Sequence, residues 1–209
     1  FQNNISHQLH PGSWSRYFEN RGGTLLNLSD PVLWPRYLHF LTASVAVAGL
    51  FSSLVWHIRG RRGAVESEKG VAKGLKIFGI ATMVQVVIGF WLLLALPREI
   101  MLSFMGGSLT HTIVLFTGIV AALALIMTAM LKRLWTTVYL FLTVMLLMVL
   151  MRTFLRYLYL EPHFQVESLA VSPMYGVFGL FLAVLAVGLV IVGIMLRWAV
   201  RASAGKEAL

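Results

Sequence analysis

The chain has 209 residues, of which 58% are hydrophobic and 12% charged, with a mean hydropathy of +0.81 and a formal net charge of +9. That composition excludes an ordinary soluble enzyme and calls for an integral membrane protein. The lack of cysteine excludes a disulfide framework, thiolate-held zinc or iron–sulfur centres and covalent C-x-x-C-H haem attachment, so any metal must sit on His or Met.

Residues 1–35 come first. The chain opens on Phe1 rather than Met, carries no signal-peptide core and is expected to continue upstream. Pro11-Gly12 and Arg21-Gly22-Gly23 read as turns, while Trp14, Tyr17 and Phe18 suit the headgroup level, so this stretch is expected to be an outer-face interfacial segment. Five apolar stretches follow, at about 36–58, 75–97, 110–131, 134–152 and 173–197, each long enough as a helix to cross a hydrocarbon core of about 30 Å. No alternating pattern suggests a barrel strand, and an open sheet edge is not tolerated in lipid. The expected fold is all-α: a polytopic bundle of five transmembrane helices over 36–198, followed by a cytoplasmic tail at 199–209.

Charge sets the expected orientation. One side receives eleven basic residues, namely Arg59, Arg61, Arg62, Lys69, Lys73, Lys76, Lys132, Arg133, Arg197, Arg201 and Lys206. The other receives Arg16, Arg21, Arg36, Arg98, Arg152 and Arg156, with five of the eight carboxylates: Glu19, Asp30, Glu99, Glu161 and Glu167. The positive-inside rule therefore places the N-terminus outside and the C-terminus in the cytoplasm. The positive charge reads as topology, with anionic lipid as a partner and no role for nucleic acid.

All eight carboxylates are expected in loops, and none at mid-membrane depth. This argues against a proton pump or ion-coupled transporter, and no helix-borne acid is available to orient a catalytic base. Gln85, the most polar side chain deep in a span, is expected to hydrogen-bond between helices.

His39 enters the first span and His111 the third from the same face, on helices running in parallel. Two imidazoles at similar depth are the donor set a haem iron takes as axial ligands. Small residues follow both: Ala46, Gly49 and Ser53 after His39, and Gly118 and Ala122 after His111. They leave room for a macrocycle, or they let helices pack closely; spacing alone leaves both readings open. Arg36, one turn before His39, and Arg98, Arg152 and Arg156 are placed to pair with propionates. His57 is expected to pack at the opposite interface, His7, His10 and His163 to lie in outer loops, and Met145, Met148 and Met151 to fill the core.

The stretch Asp30-Pro31-Val32-Leu33-Trp34-Pro35-Arg36-Tyr37-Leu38-His39-Phe40-Leu41-Thr42-Ala43 resembles the entry to the fifth helix of subunit I of the cytochrome bd quinol oxidases, where a similar run carries a ligand of the low-spin haem b. Phe1-Gln2-Asn3-Asn4 looks like the exit from that family's fourth helix, and the third span here corresponds to its seventh. The resemblance is specific over roughly residues 30–62 and elsewhere rests on helix order. It implies a haem b between His39 and His111, His111 standing where the family has a methionine. It also implies quinone as a redox partner, an outer-face protein such as a c-type cytochrome, other membrane subunits, one of them supplying four preceding helices, and the inner membrane of a bacterium or archaeon. Residues 98–110 are shorter than the family's quinol-binding loop. Met151-Arg152-Thr153-Phe154-Leu155-Arg156 stands where the family has a glutamate and a Gly-Arg-Gln-Pro-Trp stretch beside its oxygen-reducing haem, and no carboxylate replaces that glutamate, so oxygen reduction is not expected. The alternatives are a cofactor-free scaffold anchoring redox subunits and, more remotely, a transporter.

Overall fold

Long helices form wherever the sequence runs apolar without interruption, because only internal hydrogen bonding satisfies the backbone in lipid. The computed structural model describes residues 2–14, 18, 22, 26–163 and 174–206. Helix α1 (Gln2–Gln8) and a 3₁₀ turn (Pro11–Ser13) precede the spans; α2 (Leu33–Gly60), α3 (Ser67–Leu94), α5 (Leu109–Met130), α6 (Leu134–Leu160) and α7 (Tyr175–Lys206) are the long helices, and α4 (Arg98–Leu102) is a short link. All five long helices are long and apolar enough to cross a membrane, α7 over Tyr175–Ala199. No strand occurs among the described residues. Phe1, Arg16, Tyr17, Glu19, Arg21, Glu167 and Glu207, on which part of the N-terminal and orientation readings rests, lie outside them.

Helix ends differ from the hydropathy bounds for local reasons. α3 starts at Ser67, eight residues before the apolar run, and in its first turn Gly70 passes against the Trp56 ring of α2. It stops at Leu94 because Pro97 disfavours helix at Leu96. α6 continues past Arg152 and Arg156 to Leu160, ending where Pro162 forbids another turn. α7 runs through Lys206, so the expected tail boundary at 198 falls inside a helix. Glu68 and Glu99, expected in loops, lie in the first turns of α3 and α4, where negative charge suits the helix dipole.

The helices pack in series: α2 against α3, α3 against α5, and α5 against α6. α6 touches α2 at few points, closing a four-helix ring in which α2 and α5 stand opposite each other without extensive direct packing. Among the described residues the α7 span is almost wholly exposed and touches α2 lightly. Two apolar clusters hold the ring. At the end carrying the 60–67 and 130–134 turns, Leu50, Leu75, Phe78, Leu125 and Leu134 interlock. At the other end, Val32, Leu96, Ile100, Phe104 and Tyr159 gather the chain reversals.

Gly49, Ser53 and Gly74 bring the α2 and α3 backbones into close contact. A Cβ on Gly49 would stand 2.9 Å from the Gly74 carbonyl oxygen and from the Phe78 nitrogen. Ser53 Oγ bridges the helices by donating to the Val71 carbonyl at 3.0 Å. The space beside Gly49 is thus filled by α3, the close-packing alternative for that residue.

Candidate functional site

The site is built at the end of the ring where α2 and α5 begin. α2 is started by Asp30, whose Oδ1 accepts the Val32 N–H at 3.0 Å. Its other oxygen accepts a hydrogen bond from Ser6 Oγ and lies 4.0 Å from His10 Nε2. Asn27 N–H donates to Asn3 Oδ1 at 2.6 Å, so the N-terminal segment folds back over the start of α2. His10 meets Tyr159 of α6 edge-on, with centroids 5.5 Å apart. Two cavities of about 460 Å³ each flank this contact, both lined by His10, Pro97 and Tyr159.

His39 lies in the second turn of α2 and faces α3. The Gln85 amide nitrogen is 3.2 Å from His39 Nε2, which makes Gln85 the interhelical hydrogen-bonding residue its depth predicts, with a histidine as its partner. His39 Nδ1 is buried and has no hydrogen-bond partner among the described residues. With the amide nitrogen donating to Nε2, Nδ1 carries the proton as an orphan donor; with the amide turned over, Nε2–H donates to oxygen and a lone pair is exposed at Nδ1. Gly89 provides the room: its Cβ position is 3.7 Å from His39 Cε1.

His111 lies in the first turn of α5. Ser103 Oγ is 2.8 Å from its Nδ1, a contact that fixes the ring and leaves Nε2 as the other donor atom. The imidazole stands between Phe104 (5.2 Å between centroids) and Phe154 (4.8 Å). A π-helical turn over Ser103–Gly107 brings Ser103 back to His111. Gly106 takes φ +118° there, a conformation that favours glycine, and its N–H donates to Thr112 Oγ1 at 3.0 Å. The 98–110 stretch is therefore a structured supporting shelf.

His39 and His111 both lie near the starts of their helices, but each is held by different neighbours. Among the described residues no hydrogen bond or ring contact joins them. Gly118, two turns past His111, faces α6, with Met151 Sδ 3.8 Å from its Cβ position. Arg36 lies within electrostatic range of Tyr159, Asp30 and Arg152, and its Nη1 is buried without a hydrogen-bond partner among the described residues. Arg98 is exposed at the start of α4 and is not drawn into this group. His57 packs edge-on against Trp135 at the opposite end, 5.7 Å between centroids, and its Nε2, like His39 Nδ1, is buried without a hydrogen-bond partner among the described residues.

The residue types that an anionic tetrapyrrole would need are present: an imidazole nitrogen without a partner on α2, an oriented imidazole beside aromatic rings on α5, and half-buried Arg36 one turn before His39. Neither of the two cavities is lined by His39 or His111. No cluster of three or more His, Asp or Glu able to hold a bare metal ion occurs among the described residues.

The described residues define an all-helical protein with five membrane-length helices, two of which carry a histidine, His39 and His111, near their starts. Comparison with known proteins adds no family to that description: no family model, no curated protein and no solved structure matches the chain.

Proposed function

We propose that this chain is a haem b-binding membrane subunit that passes electrons between a membrane quinone and a redox protein at the outer face, with His39 and His111 as axial ligands. The observation that carries the reading is the orphaned Nδ1 of His39 near the start of α2, together with an oriented imidazole near the start of α5, in a ring where these two helices do not pack extensively against each other. A buried polar atom without a partner is costly, and ligation removes the cost. Ser103 and Gln85 set which imidazole nitrogens are available, and the burial around them raises or lowers the iron potential. Arg36 pairs with a propionate, while exposed Arg98 is better placed to dock the outer partner. Gly118 leaves room beside Met151, whereas Gly49 serves the helix crossing. The resemblance to subunit I of the cytochrome bd oxidases supports a low-spin haem; it also supports co-subunits that supply further helices and residence in a bacterial or archaeal inner membrane. The chain purified with its native membrane partners should contain about one protohaem for this histidine pair. A haem-free, fully folded complex would favour the scaffold role.

The orientation has its own test, aided by the absence of native cysteine. Leu26 and Val65 are exposed at opposite ends of the bundle. With the N-terminus outside, Leu26→Cys is labelled by an impermeant maleimide in intact cells, and Val65→Cys only after the membrane is opened. The reverse pattern would invert the topology.

A further inference from the structure

We propose that the face of α3 carrying Lys69, Lys73 and Lys76, together with the Leu131–Arg133 turn beside it, is a seat for an anionic phospholipid.

Positions 69, 73 and 76 are spaced i, i+4, i+7 and lie on one face of α3, and all three lysines are exposed. The same face continues as Ile80, Met83 and Val87, also exposed. Three ammonium groups thus lead directly into an apolar stripe on a membrane-length helix, which matches the order of headgroup and acyl chain in a lipid. Lys69 is paired with Glu66 at 3.0 Å, but Lys73 and Lys76 have no ion pair or hydrogen bond among the described residues. Lys76 is the second residue of the apolar run that begins at 75, so its stem lies along apolar surface while its exposed ammonium sits at the interface, where an anionic headgroup can meet it.

The neighbouring helix end supplies a second wall. Gly79, one turn beyond Lys76, meets the last turn of α5, with Met130 Sδ 3.1 Å from its Cβ position. The chain then turns through Lys132, held at φ 58°, and both Lys132 and Arg133 are exposed. A phosphate resting on Lys73 and Lys76 would be flanked by these cations, with acyl chains lying along Ile80 and Val87. The proposal needs only the membrane-spanning character of α3 and α5 and is independent of haem binding.

The test uses the full chain in mild detergent with equal amounts of phosphatidylglycerol and phosphatidylcholine, retained lipid being read by native mass spectrometry. Two ammonium groups near an anionic surface predict roughly a ten- to thirtyfold preference for phosphatidylglycerol. K73Q/K76Q should bring it near parity, while K73R/K76R and R197Q/R201Q, the latter on α7, should keep it. If the double variant loses helical circular dichroism, K76Q alone is read in its place and should remove a substantial part of the preference. An undiminished preference in folded K73Q/K76Q or in K76Q, its loss in R197Q/R201Q, or displacement of the lipid by millimolar inorganic phosphate would overturn the proposal.

Discussion

Replacing His39 with Ala should abolish the low-spin haem b α-band in the reduced spectrum of the folded protein, and His111→Ala should do the same. The two substitutions act on different surroundings. His39→Ala leaves Gln85 without its partner on α2, a loss of about 1–3 kcal/mol if the amide stays buried. His111→Ala empties the space between Phe104 and Phe154 and frees Ser103. A general loss of fold is separated from loss of ligation by His57→Ala, which removes a histidine that packs on Trp135 at the other end and should leave the band intact. Gly89→Leu is an independent probe, since its side chain must crowd His39 from α3 without removing the imidazole. An α-band retained in folded His39→Ala protein would refute His39 as a ligand.

The largest structural effect is expected at the α2–α3 crossing. In Gly74→Ile the new Cβ would collide with Ser53 Oγ and stand 2.6 Å from the Gly49 carbonyl oxygen. The second obstacle is backbone, which cannot rotate away. The helices must separate, breaking the Ser53–Val71 bridge and loosening Leu50, Leu75 and Phe78. Overpacking of this kind costs about 1–3 kcal/mol or more, enough to deplete folded protein. Gly179→Ile on α7, where no described residue lies within 4 Å, should be silent. The yields of monodisperse protein and the thermal midpoints of the two variants check the contrast; equal midpoints would contradict the crossing as described.

The five long helices were legible because lipid leaves an apolar stretch of that length few alternatives. Their ends were less so. Lys69 and Lys73 lower the hydropathy just where α3 begins, and Arg152 and Arg156 do the same where α6 continues, although both runs keep helical backbone bonding. Gln85 announced itself as a residue needing a partner, but neither its depth nor its spacing named His39. The Ser103–His111 contact depends on the π-helical turn at Gly106, which the sequence signals only as a Gly-Gly pair. Ser6 and Asp30, and His10 and Tyr159, meet because the N-terminal segment folds back across long sequence separations, and no periodic pattern encodes that return. Small residues gave two readings because close helix packing and space for a ligand are both written in Gly and Ala. At Gly49 the opposing α3 backbone fills the space, whereas Gly118 has a flexible methionine sulfur as its neighbour.

The most direct test of the histidine pair is the dithionite-reduced minus air-oxidised visible spectrum of the protein purified with its native membrane partners. A sharp haem b α-band, lost in both His39→Ala and His111→Ala, is the predicted result; a flat spectrum from well-folded protein would contradict the electron-transfer account and leave the chain as a scaffold.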